Sequence, residues 1–402
     1  MNALQVAVIG AGAAGYFAAL RHKKLFPGNK VILFEKTSKV LGKVRISGGG
    51  RCNVTHAEFV PKELVKAYPR GGKELLGPFH HFQPADTIQW FEDRGVKLKT
   101  EEDGRVFPVT NKSQTIIDCL ENERIKLDVE LKFHHSLSDI HLKQKTFELK
   151  FENGNLYQAD QLIITTGSNE VIWKILHQLG HTIIPPVPSL FTFNIKDSFI
   201  DGFPGTSWPN VAASFENIKI SSHGPVLITH WGLSGPAILK LSAFAARELS
   251  SVRYHQKLKV NFMHPYKISE VIDILKETKQ KQSNKLVQAW MPDGFTVRLW
   301  QHWVSLLGYA NKKWQEVSIK SIEKIAIQLS SAEFQLSGKS TYKDEFVTCG
   351  GIDLKEIDMK NLESRLIPNL FFAGEVLNID AITGGFNFQS AWTTGWLAGS
   401  NA

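Results

Sequence analysis

Short apolar runs alternate with amphipathic stretches along the first part of the chain. Residues 5–9 read Gln-Val-Ala-Val-Ile, the continuous apolar pattern of a strand buried on both faces. A helical pattern follows to about Leu25, and Pro27-Gly28 breaks it. A second apolar strand, 30–34, ends at Glu35. Amphipathic helices are expected over 84–94 and 110–123. Lys145 to Phe151 alternates as a strand, Asn153-Gly154 signals a hairpin, and Leu156-Tyr157 starts the return. Gln161 to Thr166 reads as another buried strand, ending at Gly167.

At Ile184-Pro-Pro-Val-Pro188 the character changes, and this stretch reads as an exit linker. Strands are expected at 190–196, 211–220, 225–229 and 251–263. A helix should start near Leu233 with Pro236 in its first turn. Helices are expected at 267–279, 295–307 and 316–330. The pattern then returns to a buried strand, Asn369 to Ala373, a Gly-rich turn and a helix to about Ala398. This predicts an α/β fold. A Rossmann-like domain (1–189 and 341–402) is interrupted by an inserted domain over 190–340, β-rich over about 190–263 and helical over about 265–332.

The turn between the first strand and helix reads Gly10-Ala-Gly12-Ala13-Ala14-Gly15. Gly10 suits the tight turn, Gly12 a close approach of backbone to pyrophosphate, and Gly15 close packing of helix on strand. The helix N-terminus offers free N–H groups and partial positive charge to phosphates. Glu35 lies twenty residues beyond Gly15, where a carboxylate accepts from the adenosine ribose hydroxyls. Lys36 follows it. FAD and NAD both use such a unit. What points to a flavin is the loop Leu41-Gly-Lys43-Val-Arg-Ile-Ser47-Gly48-Gly49-Gly50-Arg51-Cys52-Asn53-Val-Thr55, which NAD alone does not need. Its three consecutive glycines are expected to form a loop passing close to a ligand. A second glycine-opened helix start lies in Gly374-Glu375 to Gly385-Phe386-Asn387-Phe-Gln389, suited to the negative charge that a reduced flavin develops.

These motifs resemble a bacterial flavoprotein family that includes aminoacetone oxidase-like and BaiN-like enzymes, the NAD(FAD)-utilising dehydrogenase type. The resemblance is carried by Ile46 to Thr55, Gly104-Arg-Val-Phe-Pro108, Gly180-His-Thr-Ile183, Gly224 to Pro236, Thr348-Cys-Gly-Gly-Ile352, Phe372 to Glu375 and Thr383 to Gln389. It spans nearly the whole chain. It implies a two-dinucleotide-binding-fold FAD domain of the glutathione-reductase type. It also implies that Ser47 to Asn53 lie along FAD, with Gly374, Glu375 and Gly385 to Gln389 around its ribityl and flavin parts. Thr166 and Gly167 would approach the adenosine end. The chain departs from the family at Thr165-Thr166-Gly167-Ser168, where a glycine pair is usual, and at Asn378-Ile-Asp380-Ala381.

Composition narrows the picture. The chain has 402 residues, 47 Lys and Arg against 39 Asp and Glu, and a formal net charge of +8. That excess suits anionic small molecules or a nucleic acid, though no run of five basic residues occurs. Three cysteines without CxxC spacing argue against a disulfide framework, a redox pair or a zinc site. No apolar run reaches membrane-span length, and residues 1–5 lead straight into a strand, so a cytoplasmic location is expected. A flavin carries the redox chemistry itself, so no triad is required. His230, beside Thr229 and Ser234, is the candidate catalytic group, as acid, base or substrate-orienting residue; the alternative is a packed histidine capping the next helix. His80-His81 and Cys52 are weaker candidates. Only one dinucleotide fingerprint is present, so any NAD(P)H would dock transiently. The expected function is an FAD-dependent oxidoreductase acting on a small molecule, with NAD(P)H or O2 as the other partner. Two alternatives stand beside it: a flavoprotein acting on tRNA or other RNA, and a flavin-binding sensor.

Overall fold

The computed structural model describes residues 3–340 and 347–402. They form two units, dividing after Pro188 and returning to the first unit for the C-terminal segment.

In the first unit a seven-stranded sheet runs, among the described residues, in the order 357–358, 363–364, 370–372, 161–164, 5–9, 30–34 and 130–132. Its central strand, Gln5–Ile9, pairs in parallel with Gln161–Ile164 and Lys30–Phe34, Val8 lying between Ile163 and Leu33. These strands are buried apolar runs because helix Ala13–Leu25 packs on them and so does a three-stranded meander over 137–159, Phe34 stacking on Phe151 at 4.8 Å. Helices Ala13–Leu25 and Phe386–Asn401 cross in close contact. A Cβ at Gly399 would lie 2.2 Å from the Ala18 carbonyl oxygen, so only glycine permits that approach. The meander Leu137–Lys143, Thr146–Phe151 and Leu156–Ala159 forms as the hairpin signal predicts. A smaller sheet joins Thr55–His56 to Arg105–Pro108 and Leu98–Thr100.

The second unit is built on a closed barrel of strands 193–195, 232–234, 221–229, 207–215, 256–261 and 332–339. Antiparallel pairing of Phe193–Ile195 with Ala332–Lys339 closes it, which removes every free edge. Amphipathic helices Ile268–Lys281, Val297–Leu306 and Ile319–Ser330 belong to the same unit. Phe262 lies at the centre of an aromatic cluster, meeting Trp208 at 4.6 Å and Trp303 at 5.2 Å between ring centroids.

Several expectations change. The Pro-rich stretch at 184–188 is no linker but a strand, Ile183–Ser189, paired with Val347–Ile352. A two-stranded sheet has only edges, where prolines are tolerated. The strand expected over 251–263 shrinks to Gln256–Asn261. A short helix, Ala246–Ser251, precedes it, and Arg253 and Tyr254 turn through positive φ. The strand expected at 211–220 straddles the turn between Ser207–Phe215 and Ser221–Thr229. The glycine loop opens as a helix at Gly42. It breaks where Ser47 is extended and Gly48 and Gly49 turn left-handed, at φ 57° and 68°. Helices Gly72–His81 and Glu170–Gln178 were not expected. The second has a readable signal, since the Asn169 side chain accepts from the N–H groups of Val171 and Ile172.

Candidate functional site

The site begins at the C-terminal end of the central strand. Gly10 turns at φ 106°, and a Cβ there would lie 2.7 Å from the Thr165 carbonyl oxygen. A Cβ at Gly15 would lie 1.9 Å from the Gly10 oxygen, so helix and turn pack as the spacing requires. At Gly12 a Cβ would meet nothing within 4 Å. The middle glycine therefore faces open space beside an uncapped helix N-terminus, where a pyrophosphate fits. Ala13 and Ala14 form the first turn of that helix.

Next to this turn lies a cavity of about 170 Å³, lined among others by Gly10, Glu35, Lys36, His135, Thr166 and Asn169. Glu35 accepts from the Ala11 N–H at 3.1 Å and from the Thr37 N–H and hydroxyl at 2.9 Å. These bonds hold the carboxylate at the cavity wall. The Thr166 hydroxyl is buried and has no protein partner among the described residues, a vacancy that a ligand's polar atom would satisfy. His135 and Asn169 were missed by sequence reasoning. His135 follows a strand with no motif, and nothing in the sequence marks it.

Three segments far apart in sequence converge here. Lys43 pairs with Glu375, joining the signature helix to the C-terminal strand end. A Cβ on Gly374 would lie 3.0 Å from the Ala14 Cβ, which brings that strand end against the first helix. Gly385 caps the C-terminal helix at φ 95°, with no side-chain cap on its free N–H groups. Asn53, in the amide orientation its neighbours require, accepts from the Gly385 N–H at 2.9 Å. Around Gly49 and Gly50 a Cβ would again meet nothing within 4 Å. Gly167 turns at φ 63° facing Glu375. The Asn378 side-chain oxygen is buried and unpartnered among the described residues.

Some predicted residues turn out to brace the site. Arg51 stacks 3.9 Å above the Phe107 ring and pairs with Glu101 at 2.7 Å, so its guanidinium is held by protein. Gln389 is fully buried, accepting from Thr55 at 2.6 Å and Thr87 at 2.9 Å and donating to Thr393. Asn387 closes its own loop on Ala381 and Ile382. Ser47 donates to the Val44 carbonyl. Cys52 is buried, and burial pushes its thiol up to about 12, so it stays protonated and unreactive. His80 and His81 are exposed in the last turn of their helix, where cations suit the dipole. His230 belongs to the second unit. It is exposed in the turn after Ser221–Thr229, neither packed nor capping a helix, because Gly235 holds the cap position.

Sequence reasoning also missed His56. Its ring stacks on Phe386 at 4.4 Å, and its Nδ1 lies 3.1 Å from the Gly384 carbonyl. Its other nitrogen has no hydrogen-bond partner among the described residues. The ring is half-buried beside the start of the C-terminal helix. Its place directly after the Ile46–Thr55 signature was the available signal.

Two uncapped helix starts, the open face of Gly12, and the unpartnered Thr166 and Asn378 oxygens suit a long ligand with a phosphate centre and polar ends. FAD meets that description. The family model described as HI0933-like protein Rossmann domain matches residues 4–401. The chain belongs to the HI0933-like family. The ribosomal RNA dihydrouridine synthase of Haemophilus influenzae is 28% identical to it, covering 97% of this chain and 96% of that protein. The 3-dehydro-bile acid delta(4,6)-reductase of Clostridium scindens is 23% identical, covering 99% and 98%. Among solved structures, a 3-ketosteroid-delta4-(5alpha)-dehydrogenase from Rhodococcus jostii RHA1 superposes with a TM-score of 0.53 at 13% identity, covering 99% of this chain and 96% of that one. A flavocytochrome c3 fumarate reductase gives 0.51 at 18% identity, covering 100% and 78%. These two are likenesses of fold. As a member of the HI0933-like family with this site, the protein is an FAD-dependent oxidoreductase. No helix among the described residues is long and apolar enough to cross a membrane.

Proposed function

We propose that the protein reduces a carbon–carbon double bond conjugated to a carbonyl, with a uracil base of ribosomal RNA as substrate and NAD(P)H as electron donor. One observation carries the reading. Relatives with two different printed activities align over nearly the whole chain, and both activities saturate the same type of bond. Dihydrouridine is uridine with its C5–C6 double bond reduced, next to the C4 carbonyl. A delta(4,6)-reductase acts on double bonds conjugated to a 3-oxo group. The net charge of +8 and the higher identity of the RNA-directed relatives favour RNA. This reverses the order expected from sequence, where the small molecule came first. A conjugated small molecule such as a steroid enone is the second reading, supported by the bile-acid relative. The location proposed is the cytoplasm.

FAD, when bound, supplies the hydride. The chain's own residues do the rest. The Gly12 turn and the Phe386 helix start hold negative charge at two points. Glu35 orients the adenosine end. Saturating the bond also needs a proton on the second carbon. His56 is assigned that role: its Nδ1 is anchored on the Gly384 carbonyl, and its Nε2, on the ring edge beside Gly104, would release the proton.

The test starts from the purified protein's visible spectrum. NADH or NADPH added without oxygen should bleach the flavin band, and rRNA lacking dihydrouridine should restore it. Restoration by a steroid enone but not by RNA selects the second reading. A band that neither nicotinamide bleaches sinks the reductase and points to an oxidase using O2. Absence of any flavin band after reconstitution removes the cofactor itself.

A further inference from the structure

We propose that the turn at 229–232 of the second unit is a nucleobase-stacking tip that takes single-stranded RNA, an inference that rests on the RNA reading above. The sequence holds ten tryptophans. Among the described residues Trp208, Trp300, Trp303, Trp314 and Trp392 are fully buried, whereas Trp231 is 53% exposed. An indole left in water forgoes the burial that normally stabilises it, so its exposure asks for a partner.

The backbone beneath that ring is fixed. The Trp231 N–H donates to the Thr229 hydroxyl at 3.2 Å, and the hydroxyl donates to the Gly232 carbonyl at 3.2 Å. The Trp231 carbonyl accepts from the Ile195 N–H at 2.9 Å. A Cβ on Gly232 would lie 2.4 Å from the Phe193 carbonyl oxygen, so the turn is pressed onto the neighbouring strand. The ring therefore stands on a rigid mount, and stacking on it costs little ordering entropy.

The adjoining segment supplies a cation, Lys196, followed by Asp197, which accepts from the Phe199 N–H at 2.9 Å. Beyond the pairing of Phe193 with Leu233 and Asn194 with Gly232, Ile195 holds the Trp231 carbonyl, and Lys196 is the next residue in the chain. Lys196 and His230 are both exposed. An exposed aromatic ring with an exposed lysine on the adjoining segment is a combination that binds single strands: the ring takes a base and the lysine a phosphate. The expected role of His230 in orienting substrate then belongs to this tip.

The test uses the FAD-loaded protein and a fluorescently labelled single-stranded oligoribonucleotide containing uridine, read by anisotropy over a salt series. W231A should weaken binding roughly 10- to 100-fold, and W231F should retain most of the affinity. K196A should lower the slope of log affinity against log salt by about one. The flavin band in the same samples reports that the first unit is intact. If RNA binds tightly and W231A binds as well as the unsubstituted protein, the tip is not the site while the RNA reading stands. Equal losses in W231A and W231F overturn stacking as the cause. If the unsubstituted protein does not bind RNA, the tip and the RNA reading fall together.

Discussion

The two units keep their glycines and aromatics for opposite purposes. In the first, glycines stand where backbone meets backbone or ligand, as Gly10, Gly12 and Gly15 do at one turn. In the second, Trp208, Phe262 and Trp303 interlock inside a barrel and its helices. One unit is shaped around a molecule it must receive, and the other around its own side chains. The difference teaches where each is fragile. An added methyl at Gly15 should disable the nucleotide turn of the first, and removal of a large side chain should loosen the aromatic core of the second.

The largest effect tests the first half of that contrast. G15A places a methyl 1.9 Å from a carbonyl oxygen, which neither helix nor strand can yield without breaking the turn. We expect no retained flavin band and a lost first-unit melting transition. Normal flavin content in G15A would contradict the close packing.

Next in size is the division of chemistry from recognition. H56Q should leave nicotinamide bleaching of the flavin near normal and slow its reoxidation by substrate about 10²- to 10⁴-fold. H230Q should raise substrate KM with little change in kcat. The reverse pattern, measured by stopped-flow, would exchange the two roles.

W303A tests the second half. It should cost the second unit about 3–5 kcal/mol, seen by calorimetry as a lowered transition, while flavin content holds.

A smaller effect is pH-dependent and confined to the first unit. His22 is buried, and Asn29 donates to its Nε2 at 2.9 Å. Burial pushes it from its ordinary 6.5 down to about 4. The unfolded chain binds that proton first, so its contribution is full above pH 6.5 and is lost as pH falls toward 4. The loss is on the order of 3 kcal/mol, and His22→Asn should flatten this part of the pH–stability curve. His181, its pKa lowered by burial and raised in part by Glu356, acts in the same direction.

The smallest effect is local. E35Q should weaken FAD binding about tenfold, measured by titration of the apoprotein, through loss of one charge-assisted hydrogen bond.

What the sequence made legible follows the same contrast. The Gly10–Gly15 turn, Glu35 and the two buried strands were readable because each carries a local constraint with a fixed spacing. The strand at 332–339 was not, since barrel closure is a pairing between distant segments that leaves no local trace. The prolines at 185, 186 and 188 misled for a related reason. Their breaking effect is local, whereas the partner strand that accommodates them lies at 347–352. In the site, Arg51 and Gln389 were expected to bind the cofactor. Whether they touch ligand or hold the wall depends on Glu101, Phe107, Thr55 and Thr87, which the motif does not name. His56 was hidden in plain view, because its value comes from Phe386 and Gly384 lying against it.

The crossing of helices Ala13–Leu25 and Phe386–Asn401 has a bearing on synthesis. A ribosome delivers the first of them hundreds of residues before its mate. Until then its apolar side, with Tyr16, Phe17 and Leu20, lacks the surface that will cover it. The barrel can finish in the meantime, because all six of its strands leave the exit tunnel together as one uninterrupted segment. Assembly on the ribosome therefore runs from the middle outward, and the nucleotide cradle is the last part to mature.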